Sequence, residues 1–505
     1  VLPYRLISWR FVQAHVLRFT IFDAVMRKKP ISHLVIAGGG TAGWSTAAIL
    51  SSLPGLRITV LEPSDIPTIG VGESTLPHIH LAHQKMGFEV FKSADWLDSV
   101  DGTIKLTIEF AEFEAKDKLW VHPFFDAYGL DRGWLTDRLL RGLPSDTEQE
   151  QASFMFAHTS AGRRRMRGFI DNASWFSQAA CSKEAAFHMN ALAYAKSLKA
   201  MTLQRPQVQV LDDAIGAVTR CADGSIESLI LRSGASLTAD LYVDCTGSSA
   251  MLLHALDEPW VSAHERLFVD GAWLIQLPYR DRHTQLRNTT YCHALSSGWV
   301  FNIPLQSRIG TGYIFSSSHQ SDDAAAGEFA LHLQKHYGYE PASLSFRRLR
   351  FATGYRKQQW VKNVIGVGMS SFFCEPLEST AIAMANSTAL CLREALQNQH
   401  VSVELLRDRL NRSQRQLAQS VLEFVEMHYT LSKRSDSSFW RDYQAKGLTE
   451  HQRAWIERYS QAPKGKRFEL ADIKQVFGEF GMFCNLSYAM MFYGYGIRPA
   501  KHRAS

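Results

Sequence analysis

The sequence predicts an α/β protein with a Rossmann-like, dinucleotide-binding fold and a largely helical second module. Three observations support this fold class. The segment HLVIAGGGTAGWSTAAILSSL, from residue 33, is typical of a strand, a glycine turn and a helix. The segment RITVLEPSD, from residue 57, indicates a second strand that ends in an acid, and residues 400–505 have a largely helical composition.

The glycine turn contains Gly38, Gly40 and Gly43, which fit the pattern G-x-G-x-x-G. In this pattern the first glycine permits the tight turn, the second lets a pyrophosphate approach the backbone, and the third lets the helix pack on the strand. Thr41 and Ala42 open the helix, whose N-terminus favours phosphate groups. A purely structural glycine turn is the alternative.

Two further features identify the nucleotide. Glu62 ends the second strand, where a carboxylate can bind a ribose hydroxyl. A later strand, in ASLTADLYVDCTGSS (235–249), ends in Asp244-Cys-Thr-Gly, which is typical of the second flavin contact in flavoproteins with two dinucleotide folds. Together these features favour FAD over NAD and a fold of the flavin monooxygenase type.

The chain of 505 residues is expected to divide into three parts. Residues 1–26 are predicted to be a basic N-terminal extension. Residues 27–400 form the FAD-binding module, with inserted substrate-binding segments at about 76–180, and residues 401–505 form the mainly helical C-terminal part of the substrate module. Residues 185–201 (AAFHMNALAYAKSLKAM) are predicted to be one helix.

Composition excludes several classes of protein. The net charge is only +6, from 55 basic and 49 acidic residues, and no dense basic block predicts nucleic-acid binding. Seven scattered cysteines without C-x-x-C argue against a disulfide scaffold and for a reducing, cytoplasmic location. No apolar run approaches the ~18 residues of a membrane span.

Two motifs are ambiguous on local grounds. In PTIGVGESTLPHIH (67–80), the glycines before Glu73 and Ser74 would allow close approach to a ligand, but a plain loop fits equally. In TIKLTIEF (103–110), alternation predicts a strand on which Lys105 would face water beside Glu109.

A third motif, H-x-H-x-x-H, contains His78, His80 and His83. The segment is predicted to be helical, and residues two apart do not share a helix face. The sequence therefore predicts no metal site.

The segment CEPLESTAIA (374–383) leads from an apolar run into a predicted helix. Pro376 ends the preceding element, and Ser379 or Thr380 can cap the helix. The helix N-terminus would attract an anion, and Glu378 beside it is a candidate acid or base. An ordinary capped helix is the local alternative.

Taken together and in order, these segments resemble the flavin-dependent tryptophan halogenase family. The W-x-W-x-I-P-like motif and the P-L-E-S-T turn distinguish this family from flavin monooxygenases. The matching segments run from about residue 30 to the C-terminus: GGGTAGW (38–44), IPTIGVGEST (66–75), TIKLTIEF (103–110), DLYVDCTG (240–247), SGWVFNIPLQSRIGTGYIFSS (297–317), CEPLESTAI (374–382) and HYTLSKRSDSSFW (428–440).

The resemblance implies that a separate flavin reductase supplies FADH2, and that O2 and a halide, chloride or bromide, yield hypohalous acid. This acid passes through an internal tunnel to Lys105, which hydrogen-bonds it or forms a haloamine, and to Glu378, which positions the oxidant or takes the ring proton. Ser379 relays between flavin and tunnel, and the amides of Thr380 and Ala381 hold the halide. The resemblance adds FAD contacts at Gly72, Glu73, Ser74, Asp244 and Gly366.

The chain departs from the family pattern in three places. Phe301 replaces the second Trp of the motif formed by Trp299, Ile303 and Pro304, and Ala381 replaces a glycine. The acid and Trp that grip tryptophan in family members fall near Gly478 and Phe483. We therefore expect a small aromatic substrate such as indole, not free tryptophan, in a pocket lined by Phe124, Phe125, Tyr128 and Phe483.

Two enzymatic alternatives remain from the sequence: a hydroxylating flavin monooxygenase, with Phe301 opening the path to the flavin, and a halogenase of a carrier-bound substrate. A non-catalytic flavin-binding protein fits poorly because Lys105 and Glu378 are both present. The expected partners are a flavin reductase without a stable complex and the small aromatic substrate. Nucleic acid and membrane are not expected, and a homodimer is left open.

Overall fold

The computed structural model describes residues 30–66, 72–124, 185–398, 400–461, 481–483 and 485–497. The N-terminal extension, Phe125, Tyr128 and Gly478 lie outside these residues. The strands are β1 His33–Ala37, β2 Arg57–Leu61, β3 Glu73–Ser74, β4 Thr103–Lys105, β5 Thr107–Ala111, β6 Leu119–Pro123, β7 Ala186–Met189, β8 Val208–Leu211, β9 Ile215–Arg220, β10 Ile226–Leu231, β11 Ser236–Leu237, β12 Leu241–Asp244, β13 Trp260–Ser262, β14 Gly271–Pro278, β15 Thr289–Ala294, β16 Gly298–Pro304, β17 Arg308–Phe315, β18 Arg347–Arg350, β19 Gly354–Arg356, β20 Trp360–Val361, β21 Val364–Gly366 and β22 Phe372–Phe373.

The α-helices in the same residues are α1 Thr41–Leu50, α2 Ile79–Met86, α3 Ala94–Ser99, α4 Ala191–Thr202, α5 Met251–Ala255, α6 Arg282–Gln285, α7 Asp322–Tyr337, α8 Ala381–Gln397, α9 Val403–Thr430, α10 Ser438–Lys446, α11 Glu450–Ser460 and α12 Asn485–Gly494. The helical C-terminal part expected from the sequence thus corresponds to α9–α12. Across the described part of the chain, no helix combines the length and apolar character needed to cross a membrane.

The first sheet has the strand order β20-β21-β12-β1-β2-β8, and all of it except β20 is parallel. Its central strands are apolar and buried, as parallel strands covered on both faces must be. The register aligns the carboxyl ends of β1, β2 and β12 at Ala37, Leu61 and Asp244. Ligands of such sheets bind at this edge, and the α/β fold predicted from the sequence is confirmed.

The second sheet has the order β18-β14-β17-β16-β15-β5-β6, with β15 and β5 parallel and the other neighbours antiparallel. One face carries Trp299, Phe301 and Ile303, which belong to a large apolar core shared with α9 and α12. The opposite face carries Val300 and Tyr313, which pack with apolar residues of α7. Consecutive residues along β15, and likewise along β16, therefore point to opposite faces of the sheet.

A small sheet, β3-β7-β4, joins these two parts and corrects the predicted helix at 185–201. Residues 186–189 form β7, which pairs with both β3 and β4, and only then does α4 begin. The Asn190 side chain caps α4 by accepting hydrogen bonds from the Leu192 and Ala193 N–H groups. This sheet matters because it holds Ser74 and Lys105 beside the same strand.

Candidate active site

The glycine turn at the end of β1 has no room for side chains. Gly38 has φ +113°, and a Cβ there would lie 2.2 Å from the Cys245 carbonyl oxygen. A Cβ on Gly43 would lie 1.9 Å from the Gly38 carbonyl oxygen. Gly40 precedes α1 in an extended conformation, and no side chain caps the helix. The turn therefore leaves backbone N–H groups for a phosphate, as a dinucleotide site requires.

Glu62 lies just beyond β2, where a ribose is bound in such folds. Its Oε2 atom pairs with Lys199 Nζ at 2.5 Å, and its Oε1 atom accepts a hydrogen bond from Trp44 Nε1 at 3.3 Å. These two partners hold the half-buried carboxylate in place. Lys199 lies on α4, far from Glu62 along the chain, so no local sequence pattern indicates this ion pair.

Asp244 organises the turn that follows β12. Its buried carboxylate accepts hydrogen bonds from Thr246 N, Thr246 Oγ1, Leu252 N and Leu253 N at 2.7–3.0 Å. The carboxylate therefore fixes the backbone of the turn that follows β12. Gly366, at the end of β21, allows close packing, since a Cβ there would lie 2.6 Å from Leu253 Cδ1.

Lys105 lies at the end of β4 with 0% of its surface exposed. The water-facing position beside Glu109, expected from alternation alone, is therefore wrong. Its Nζ donates to the Thr75 carbonyl oxygen at 2.9 Å and to Ser379 Oγ at 2.8 Å, and lies 4.9 Å from the Phe124 ring centroid. Burial lowers the pKa of Lys105 to about 7, although the Glu378 carboxylate opposes the shift.

Glu378 and Ser379 occupy a strained turn before α8. Their φ angles are +66° and +59°, in the left-handed region that non-glycine residues rarely adopt. Such residues cost of order 1–3 kcal/mol each and cluster at functional sites. Here the turn directs both side chains into the protein interior, where each is buried.

Two histidines hold the Glu378 carboxylate. His122 Nδ1 lies 2.9 Å from Oε2 and 3.1 Å from Oε1, and His428 Nε2 lies 3.1 Å from Oε1. Burial opposes ionisation, but the charges and hydrogen bonds of the two histidines outweigh it and lower the pKa of Glu378 to about 2. Neither histidine could be recognised from the sequence, because His122 and His428 lie far from Glu378 along the chain.

Ser379 connects Lys105 to the segment that follows Gly72. Ser379 Oγ donates to Ser74 Oγ at 3.0 Å, and Ser74 Oγ is 2.8 Å from Thr290 Oγ1. Glu73, the preceding residue, is half-buried, and desolvation raises its pKa to about 7. At Gly72, φ is +141° and a Cβ would lie 3.4 Å from Ile303 Cγ2, so the loop passes close to β16.

Helix α8 starts at Ala381 with Thr380 as the preceding residue, and no side chain caps it. The predicted cap by Ser379 or Thr380 is thus wrong, because Ser379 Oγ is occupied by Lys105 and Ser74. The first turn of a helix has N–H groups without intrahelical partners. An uncapped N-terminus therefore offers these groups, and its positive dipole end, to an anion.

A second buried acid, Glu375, precedes the turn. The Tyr429 hydroxyl donates a short hydrogen bond to it, and burial raises the pKa of Glu375 to about 8. Glu375 is therefore neutral at pH 7, in contrast to Glu378. Glu375 and Glu378 therefore differ in charge, because only Glu378 has histidine partners.

Aromatic side chains surround His122, one of the two histidines that hold Glu378. Phe483 stacks on Phe424 with ring centroids 3.8 Å apart, and the His122 ring lies 5.5 Å from that of Phe124. Phe301 is buried on β16, in the same apolar core as Trp299 and Ile303. Pro304 ends β16, and its carbonyl oxygen accepts a hydrogen bond from Thr103 Oγ1 at 2.7 Å.

The fold and the site define the class: a dinucleotide-binding flavoprotein with a buried lysine and a buried glutamate next to a cluster of aromatic rings. The profile of the tryptophan halogenase family matches residues 33–505. The chain therefore belongs to the tryptophan halogenase family and is a flavin-dependent halogenase. Like the family, it uses FADH2 from a separate flavin reductase and a halide, and the hydroxylase and carrier-bound alternatives are not favoured.

Similar proteins cover almost the whole chain. The tryptophan 7-halogenase RebH of Lentzea aerocolonigenes is 28% identical, with 93% of this chain and 90% of RebH covered. The structure of Xcc4156, a flavin-dependent halogenase from Xanthomonas campestris, gives a TM-score of 0.75 at 27% identity, covering 94% and 91% of the two chains. A tryptophan halogenase structure from Shewanella frigidimarina gives 0.77 at 26% identity, covering 95% and 92%.

Proposed function

We propose that this halogenase acts on a small, electron-rich aromatic such as indole, with Lys105 and Glu378 as the catalytic residues. The observation that carries the proposal is the convergence of a buried lysine and a buried carboxylate on the strained turn at Glu378 and Ser379. Strain of this kind persists only where the surrounding structure holds it. The cytoplasmic location and the homodimer stay predictions.

The residues at the edge of the first sheet fit the flavin. Gly38, Gly40 and Gly43 would accept its pyrophosphate, since side chains at the first and third position would clash with the backbone. Glu62 would bind a ribose hydroxyl. When bound, the reduced flavin supplies, with O2, the oxidation of a halide to hypohalous acid. In this proposal the halide binds to the backbone N–H groups of Thr380 and Ala381 at the uncapped N-terminus of α8.

Lys105 would hold the hypohalous acid by its ammonium group. Two of the three N–H donors of an ammonium are used by Thr75 and Ser379, which leaves one for the oxidant. Such a donor in a dry site stabilises charge that develops as the halogen is transferred. The Ser379 hydroxyl, bonded to Ser74 on one side and Lys105 on the other, fixes the direction of that donor.

Glu378 would act on the ring once the carbon–halogen bond has formed. The ring is then cationic, and its proton at the halogenated carbon is strongly acidic. A carboxylate with a pKa of about 2 is fully ionised at pH 7, so it stabilises this cation and accepts the proton at Oε1 or Oε2. His122 and His428 keep the carboxylate charged in the absence of substrate.

The aromatic side chains around His122, the partner of Glu378, support this substrate class. The described residues there include His122, Phe124, Phe424 and Phe483, and aromatic rings of this kind bind an uncharged ring by packing. A zwitterionic amino acid needs charged partners for its amino and carboxylate groups. The resemblance also implies that the places of the acid and Trp that grip tryptophan fall near Gly478 and Phe483, neither of which can pair with a charged group.

The test is a product assay with FAD, a flavin reductase, O2 and chloride or bromide, read by mass spectrometry. Indole, 3-methylindole and L-tryptophan share one ring system, and only the last carries the charged amino acid group. We expect halogenated products from the first two and none from L-tryptophan. A higher kcat/KM for L-tryptophan than for indole would refute the proposed substrate class.

A further inference from the structure

Three histidines meet on the face of the second sheet that is turned away from the halogenation site. His293 lies on β15, and His332 and His336 lie one turn apart on α7, so they share one helix face. The ring centroids are separated by 4.8 Å, 4.9 Å and 4.5 Å. One ligand nitrogen of each lies within 4.8 Å of those of the other two.

The histidines are oriented for a ligand. His293 Nδ1 is 3.0 Å from the Tyr291 hydroxyl, which leaves Nε2 as the free ligand atom. An outer hydrogen bond of this type is a regular feature of metal-bound histidines. His332 is only 6% exposed, and its Nε2 has no hydrogen-bond partner in the described part of the chain. A buried polar atom without a partner is costly and calls for an explanation.

The charge state also suits a cation. Burial lowers the pKa of His293 to about 4 and that of His332 to about 2, and burial lowers the pKa of His336 as well. Metals bind the neutral imidazole, and the direction of these shifts favours that form. Glu112 Oε1, on the same side, lies 3.8 Å from His293 Nε2 and adds a carboxylate.

Positive groups act against a bound cation. Lys116, Arg434 and Lys335 all raise the local positive potential at the histidines. Lys116 also pairs with Glu112 at 3.1 Å, so a cation would compete for that carboxylate. These charges predict a moderate affinity for any cation. The nitrogen ligands favour a transition metal of the Zn²⁺ type over Ca²⁺ or Mg²⁺, which prefer oxygen ligands.

We propose that His293, His332 and His336 form a binding site for a divalent transition-metal cation of the Zn²⁺ type, with Glu112 or a water as fourth ligand. Zn–N bonds of about 2.0–2.1 Å imply nitrogens about 3.3 Å apart in a tetrahedral site. The rings therefore close inward by about 1 Å on binding. His336 is exposed, so a cation can reach the cluster from solvent at this residue.

Such a site would fasten α7 to β15. Cys292, next to His293 on the same strand, faces the apolar core that contains Trp299 and Phe301. The metal would therefore stabilise the sheet from behind, without touching the reacting atoms. The sequence analysis considered only His78, His80 and His83. In the structure His80 Nε2 is 2.7 Å from the Ala185 carbonyl oxygen, and His83 Nε2 is 3.0 Å from the Tyr194 hydroxyl.

The test uses the full chain without a histidine tag, stripped with a chelator and titrated with Co²⁺ and Zn²⁺. We expect one equivalent of Co²⁺ to give the visible absorption of a tetrahedral site and Zn²⁺ to raise the melting temperature. His336→Asn changes an exposed residue and should keep the fold, yet reduce the affinity at least tenfold. His264→Asn, an exposed histidine outside the cluster, is the matched control and should bind as the wild type does.

Two results would overturn the site. The first is the absence of both the Co²⁺ absorption and the Zn²⁺ shift in the wild-type protein. The second is equal binding by the wild type and by the double variant His332→Asn/His336→Asn, since the metal would then be held elsewhere. Neither result touches the proposed halogenation site, because no residue of the cluster belongs to it.

Discussion

Replacing Lys105 with methionine should change how the stability of the protein depends on pH. Burial lowers the pKa of Lys105 from its usual 10.5 to about 7. Between these values the unfolded chain binds more protons than the folded one, so the wild-type free energy of unfolding rises with pH. A difference of one pKa unit corresponds to about 1.36 kcal/mol. Between pH 7 and about 9.5 the free energy of unfolding of the wild type should therefore rise by about 3 kcal/mol relative to that of the variant.

The variant also removes the donors to Thr75 and Ser379, which costs about 1–3 kcal/mol for each buried acceptor left unpaired. That loss is the same at both pH values, so the change with pH isolates the lysine charge. Urea denaturation of the wild type and Lys105→Met at the two pH values measures it. Lys92→Met, at an exposed lysine, is the control and should show no pH-dependent difference. A constant difference between wild type and Lys105→Met would refute the reasoning.

Three further changes probe other parts of the account. Glu378→Gln should reduce ring halogenation by about 10²-fold while O2 consumption continues. The wild type should have the higher melting temperature of the two at neutral pH, and this difference should shrink as pH falls from about 4.5 towards 2. His428→Leu removes a donor to Glu378 and should lower the free energy of unfolding by about 1.5–3 kcal/mol in denaturant titrations. Gly43→Ala places a Cβ against Gly38 and should abolish FAD binding, measured by flavin fluorescence. Gly327→Ala, at a helical position where a Cβ meets nothing within 4 Å, is the control and should bind FAD as the wild type does.

The cofactor edge could be predicted from the sequence because its signals are local. Gly38 and Gly43 stand in one short turn, and the contacts that require glycine lie within that turn or at Cys245, on the neighbouring strand end. The strand predicted from residue 33, before the glycine turn, is β1, His33–Ala37. A pattern of this kind is strong when the residues that interact are neighbours in sequence or occupy fixed places in one supersecondary unit.

The environment of Lys105 and Glu378 could not be predicted in the same way. Alternation from 103 to 110 predicts one strand, but β4 ends at Lys105 and β5 starts at Thr107. Lys105 therefore belongs to the small sheet with β7, where it is buried. His122 and His428 reach Glu378 from β6 and α9, and only the tertiary fold brings these elements together.

The most direct test of the central claim compares halogen transfer with oxidant formation in Lys105→Met. Wild type and variant are supplied with reduced FAD, O2, bromide and indole, with and without a soluble trap for hypohalous acid. We expect the variant to oxidise bromide still, as the trap reports, while its rate of indole bromination falls by about 10²–10³-fold. Regioselective bromination of indole by Lys105→Met at the wild-type rate would contradict it.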